Sequence, residues 1–208
     1  GSIANSGEIT TLNVTGNVDN GITNNSNITN LTIYKGANLG SNGITNNSNI
    51  GTFIVNESVK YTGNGSDRIT QALIVAEDKT LTATSGITFN ANKGNVNNLG
   101  TIAGNLSNVS NSTLGTFINS GTINGDINNE GTITSINNSG VITGEIVSGS
   151  SGQTSQIDKI INTGTIGTAK TKVATFKTLV ASNQDASSNF NDAISLNTIT
   201  TTEISNGG

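Results

Sequence analysis

The chain has 208 residues, with 9 Lys and Arg against 13 Asp and Glu, a net charge of −4, and no His, Cys, Pro, Met or Trp. Without His and Cys there is no Ser-His-Asp or Cys-His catalysis, most zinc sites are excluded, and no disulfide framework is possible. The lack of a basic stripe argues against nucleic acid as a partner and against docking on anionic lipid. Only 3 % of residues are aromatic, so any core must be aliphatic.

No run approaches the roughly 18 apolar residues of a membrane span, so no membrane insertion by this segment is expected. No signal peptide is present, and Gly1-Ser2 reads as a cloning remnant on an excised piece of a longer protein.

From residue 3 the chain is organised by a seven-residue unit, apolar–x–Asn–x–Gly–x–Ile. The first copies start at Ile3, Ile22 and Ile44, with Ser in the Gly slot of the last two. Asn and Gly tolerate positive φ, so Asn-x-Gly reads as a corner between two short strands, and the flanking Ile residues suit a half-buried pleated surface. Apolar triplets follow each corner: Ile9-Leu12-Val14, Ile28-Leu31-Ile33 and Ile50-Phe53-Val55. Tyr34 and Tyr61 fall late in their coils and are expected at the side or surface. Asn-Gly pairs at Asn20, Asn42 and Asn64 recur every 22 residues.

Residues 64–95 break the pattern. Asp67 and Arg68 fall in a polar loop, and Ala72–Ala83 reads as two strands about a Glu77-Asp78-Lys79 turn. The unit then returns at Val96, Phe117, Ile127, Ile136 and Ile160. Its corner residues are Asn5 and Gly7, Asn98 and Gly100, Asn119 and Gly121, Asn129 and Gly131, Asn138 and Gly140, and Asn162 and Gly164. The copy at 127 lies midway between those at 117 and 136, as a second corner within one coil would. Residues 148–156 form a small-polar loop. Residues 168–208 lose the corner and read as a less regular continuation or a C-terminal cap, with strand favoured over helix in Ala169–Ser182.

One copy buries two side chains, too few to offset the ordering entropy of seven residues, so the copies must stack. The composition also allows an Asn/Ser/Thr-rich disordered tract, but a solvated tract has no need of phased Ile residues. The expected fold is all-β: a right-handed parallel β-helix of 19–24 residues per coil over residues 3–167, with Asn stacked in a ladder at the corner. At roughly 20 residues per coil the length gives about ten coils and a rod of roughly 50 Å.

Chemistry is sparse. Asp126, Glu130 and Glu145 lie on neighbouring coils, but polysaccharide cleavage needs two carboxylates held across one bond, and acids beside Asn-Gly corners read as solvated groups. No calcium loop or phosphate-binding glycine fingerprint occurs. Catalytic, cofactor and metal sites are therefore expected to be absent, and no residue is singled out for a ligand. Sequons such as Asn13, Asn27, Asn30, Asn56 and Asn105 are numerous enough to arise by composition.

The run Phe117–Ile146 (FINSGTINGDINNEGTITSINNSGVITGEI) resembles the passenger domains of bacterial autotransporters and related secreted adhesins, and the resemblance covers most of residues 3–167. It implies display on a Gram-negative cell surface, with an outer-membrane barrel elsewhere in the parent. The function expected from it is a non-enzymatic adhesin, using a face of the rod and the loops near 64–80 and 148–156. Its partner would be a host-cell surface, a glycan or a second copy of the chain. The alternatives are a spacer presenting another effector and, third, a polysaccharide-acting enzyme. An ice-binding solenoid is set aside because Thr-x-Thr does not recur at one slot.

Overall fold

Short β-branched runs separated by Asn, Gly and Ser fold into short strands, and each strand pairs with its counterpart one coil away. In the computed structural model, which describes residues 1–149 and 155–167 and three short strands beyond, one sheet holds nine parallel strands. They are β1 (Ile3–Asn5), β3 (Ile22–Asn24), β5 (Ile44–Asn46), β7 (Val59–Gly63), β9 (Thr80–Thr82), β12 (Thr101–Ala103), β15 (Thr122–Asn124), β18 (Val141–Ile142) and β21 (Thr165–Ile166). The broader sheet stacks β2 (Ile9–Val14), β4 (Ile28–Ile33), β6 (Asn49–Val55), β8 (Arg68–Val75), β11 (Asn92–Asn98), β14 (Thr113–Asn119), β17 (Thr132–Asn138), β20 (Gln156–Asn162), β24 (Glu203–Asn206) and β22 (Leu179–Ala181). It also carries β10 (Ile87–Phe89), β13 (Leu106–Asn108), β16 (Ile127–Asn129), β19 (Ile146–Ser148) and β23 (Ile194–Leu196).

The described residues form a parallel β-solenoid of about eight turns. Its cross-section changes at β8. The first four coils have two strands each, whereas the next four have three. The changeover is one long strand feeding two ladders: Ile69 pairs with Phe89 of β10, and Ala72 pairs with Asn95 of β11.

Alternate strand positions point inward and build continuous apolar columns, aliphatic but for Phe53 and Phe117. One runs Leu31, Phe53, Leu73, Val96, Phe117, Ile136, Ile160 through the broad sheet. Another runs Leu81, Ile102, Ile123, Ile142, Ile166 through the nine-stranded sheet. All of these side chains are buried, each contributing about 1.5–3 kcal/mol by removal from water.

Several expectations change. Tyr61 is not lateral but fully buried, because it takes the inward column of Ile44 and packs on Phe53 at 5.9 Å between ring centroids. Tyr34 is 42 % exposed. The Asn-Gly period of 22 is not one stacked slot. Asn20 and Asn42 precede β3 and β5 and are joined by an Asn42 Nδ2 bond to Asn20 O, 3.3 Å, whereas Asn64 follows β7.

The corner glycines do not use positive φ. That conformation belongs instead to Gly21, Gly43 and Gly65 of the Asn-Gly pairs. Gly100, Gly121, Gly140 and Gly164 are glycine because a Cβ would collide with a carbonyl of the coil beneath. The expected loop within 148–156 lies partly, and the reading of 168–208 largely, outside the described residues.

Candidate functional site

Three buried polar columns thread the core, where one was expected. The first starts at Asn5, whose Nδ2 donates to Asn24 Oδ1 at 2.7 Å, and Asn24 donates likewise to Asn46 at 2.7 Å. The second joins Asn98 to Asn119 at 2.8 Å, Asn119 to Asn138 at 2.7 Å and Asn138 to Asn162 at 2.7 Å. The third joins Asn108 to Asn129 at 2.8 Å and Asn129 to Ser148 Oγ at 3.0 Å. The heptads starting at 3 and at 96 thus lie on different sheets, and the copy at 127 on a further strand set. Asn108 escaped the sequence pattern because the seventh residue of its unit is Ser112 where the other copies have Ile.

Each amide proton left over from the ladder serves a corner. Asn119 Nδ2 reaches Gly121 O at 3.3 Å and Val141 O at 3.2 Å, and Asn138 Nδ2 reaches Gly140 O at 3.3 Å and Thr165 O at 3.0 Å. The Asn side chains therefore add a second bond to corner carbonyls such as Gly121 O and Gly140 O, which also accept the Val141 and Thr165 N–H groups of the next coil. Two ladder starts are incomplete. Asn98 Oδ1 and Asn108 Oδ1 are buried without a hydrogen-bond partner, because the rungs beneath them are Val75 and Phe89.

The first ladder ends differently. Opposite Asn46 stands Gly63, which has no side chain, and the Asp67 carboxylate occupies the space that a Cβ there would need. Asn46 Nδ2 donates to Tyr61 Oη at 3.0 Å, and Tyr61 Oη–H donates to Asp67 Oδ2 at 2.7 Å. The Gly65 amide donates to Asp67 Oδ1 at 2.9 Å. Asp67, expected in a polar loop, is 3 % exposed and part of the core. Burial and then the Asp67 hydrogen bond push the Tyr61 phenol far above its ordinary value. Residues 64–67 are thus drawn onto the core as a tight turn that leads into β8.

On the outer broad face lies a shallow, open cleft of about 170 Å³, lined by Asn27, Thr29, Asn49, Gly51, Thr70 and Gln71 around Ile28. Its cause is a bulge: between the paired residues Ile50–Ile69 and Thr52–Ala72, β6 has one residue and β8 has two. Gly51 sits opposite Thr70 and Gln71 and leaves a notch. The signal was readable, since Ile69 and Leu73 are four apart where Ile50 and Phe53 are three apart. The lining is neutral: Asn49 Nδ2 donates to Asn27 Oδ1 at 3.3 Å, and Thr52 Oγ1 donates to Gln71 Oε1 at 3.3 Å.

The acids do not converge. Asp126 Oδ1 accepts the Glu145 backbone N–H at 2.9 Å, and Asn105 Oδ1 accepts the Asp126 N–H at 2.9 Å, so these residues brace a corner. Glu130 follows the far end of β16 from Asp126. Glu57 braces another corner, accepting from the Gly36 amide at 2.9 Å, the Ser58 amide at 3.0 Å and Lys79 Nζ at 3.0 Å. The Gly36 amide first, then Lys79, hold its carboxyl at about 2, against an ordinary 4.5. Among the described residues no group of three or more acids is placed to hold a metal ion.

Fold and surface together define a parallel β-solenoid with amide-laddered corners. Protein-family models, curated sequences and solved structures gave no match to this chain.

Proposed function

We propose that this chain is the adhesive, non-catalytic rod of a bacterial surface protein, displayed outside the cell and anchored in the outer membrane by another part of its parent. It engages a host-cell surface, a glycan or a second copy of itself. The observation that carries this reading is the neutral cleft around Gly51, open to solvent and backed by a scaffold whose corners are locked coil to coil. Amides and hydroxyls match the chemistry of uncharged polyhydroxylated or amide-rich surfaces. Such bonds contribute only about 0.5–1.5 kcal/mol each, so attachment by this route is weak per site and depends on many rods acting together.

Sedimentation velocity over a wide concentration range, followed by a binding screen on glycans and host-cell surfaces, tests it. Reversible self-association or saturable binding reduced by Gln71→Ala supports the reading. A monomer at every concentration that binds nothing overturns it. The second reading, a passive spacer, is favoured by the uniformity of the ladders and then stands alone.

A further inference from the structure

We propose that Asn124 is a site of spontaneous deamidation selected by the fold. Four Asn-Gly pairs occur among the described residues: Asn20-Gly21, Asn42-Gly43, Asn64-Gly65 and Asn124-Gly125. Sequence alone ranks them equally, because glycine after Asn leaves the approach to the side chain open in every case. The reaction begins when the backbone nitrogen of the following residue attacks the Asn Cγ. That nitrogen must turn toward the side chain, so a hydrogen bond that fixes its N–H slows the step.

Three of the four pairs are fixed in this way. Gly21 N–H donates to Val18 O at 2.7 Å, and Gly43 N–H to Leu39 O at 3.3 Å. Gly65 N–H donates to the buried Asp67 carboxylate at 2.9 Å. Two of the side chains are also engaged: Asn42 Nδ2 donates to Asn20 O at 3.3 Å, and Asn64 Oδ1 accepts from Ser66 N–H at 2.9 Å.

Asn124 is held by fewer bonds. It ends β15 and is exposed, as the other three are. Neither its side-chain amide nor the Gly125 N–H has a hydrogen-bond partner among the described residues. Its own carbonyl accepts the Gly104 N–H at 3.1 Å, the one bond that turning the planar Asn124–Gly125 peptide must break, whereas each of the other three pairs has two bonds to release.

The step balances without an added reagent other than water. The Gly125 N–Cγ bond forms, the Cγ–Nδ2 bond breaks, and ammonia leaves with the amide proton. The resulting five-membered succinimide is opened by water at one of its two carbonyls, leaving aspartate or isoaspartate in place of Asn124. Either product places a carboxylate two residues from Asp126, in a stretch from Gly94 to Asp158 that contains no Lys or Arg. The isoaspartate product also lengthens the main chain at a corner with no room, since even a Cβ on Gly125 would meet Gly104 O. The outer face of the nine-stranded sheet thus gains negative charge in one direction only, as the protein ages.

The test is peptide mapping by mass spectrometry of the folded chain, held at mildly alkaline pH and physiological temperature and sampled over weeks. The Asn124 peptide is expected to convert about tenfold faster than those of Asn20, Asn42 and Asn64, the rate ratio for breaking one hydrogen bond fewer. In urea the four rates should converge, and Asn124→Gln should abolish the fast conversion in the folded chain. If Asn124 converts no faster than the other three when folded, or if its lead persists in urea, the inference fails.

Discussion

Asn119→Ala removes the middle of the longest asparagine ladder. Four bonds disappear: those with Asn98 at 2.8 Å and Asn138 at 2.7 Å, and those to Gly121 O at 3.3 Å and Val141 O at 3.2 Å. Asn98 Nδ2 keeps Thr122 O at 3.0 Å, and Gly121 O keeps the Val141 N–H at 2.8 Å. Asn138 Oδ1 keeps nothing of the ladder, becoming a third orphan beside Asn98 Oδ1 and Asn108 Oδ1. One orphaned buried acceptor costs about 1–3 kcal/mol and each of the three further lost bonds about 1 kcal/mol, so the total is about 4–6 kcal/mol.

The matched control is Asn128→Ala, on the outward side of β16, expected within about 0.5 kcal/mol. Urea unfolding followed by far-UV circular dichroism measures both. Because stacked coils open locally, amide exchange at Thr122 and Val141 should accelerate with the loss. Equal costs for Asn119→Ala and Asn128→Ala would refute the claim that the ladder secures the corners.

The corner glycines give a contrast at one heptad position. Gly121→Ala should cost about 2–3 kcal/mol by overpacking against Gly100 O, whereas Gly7→Ala, with nothing within 4 Å of the added carbon, should be neutral in thermal melts. Val75→Thr places a hydroxyl beneath the unpaired Asn98 Oδ1. It should cost nothing or stabilise, while Val55→Thr, one coil lower and with no such acceptor above it, should cost about 1–2 kcal/mol in the same urea assay. Glu57 has a folded value depressed to about 2, so its stabilising contribution is complete above the unfolded value of 4.5 and is lost as pH falls from there toward 2. A carboxyl NMR titration should place the Glu57 midpoint near 2. Lys79→Gln should raise the midpoint without restoring 4.5, because the Gly36 amide remains; a wild-type midpoint at 4.5 would contradict the corner geometry.

The all-β stacked fold was legible because its signal is repetition. Ile136 and Ile160, or Ile102 and Ile123, recur at coil-length intervals, and only stacking buries them. The cleft was legible in principle from the extra residue between Ile69 and Leu73, but one inserted residue in a strand looks like noise until its neighbours are known. Asp67 and Tyr61 were misplaced for a related reason. A charged residue in a Gly-Ser-Asp turn reads as solvated, and nothing local reveals that Gly63, four residues earlier, leaves a vacancy its carboxylate fills.

The chain's own pattern thus determined that coils form, how long they are, and that their interior is apolar and asparagine-lined, because these depend on spacing within one strand or corner. Only the tertiary structure decided which coil each copy sits on. Val14, Ile33, Val55 and Val75 share one column with Asn98, Asn119, Asn138 and Asn162. Identical heptads serve different corners, because a side chain's role here is set by the residue one coil below it, about twenty positions away in sequence but one strand spacing, about 4.8 Å, away in space.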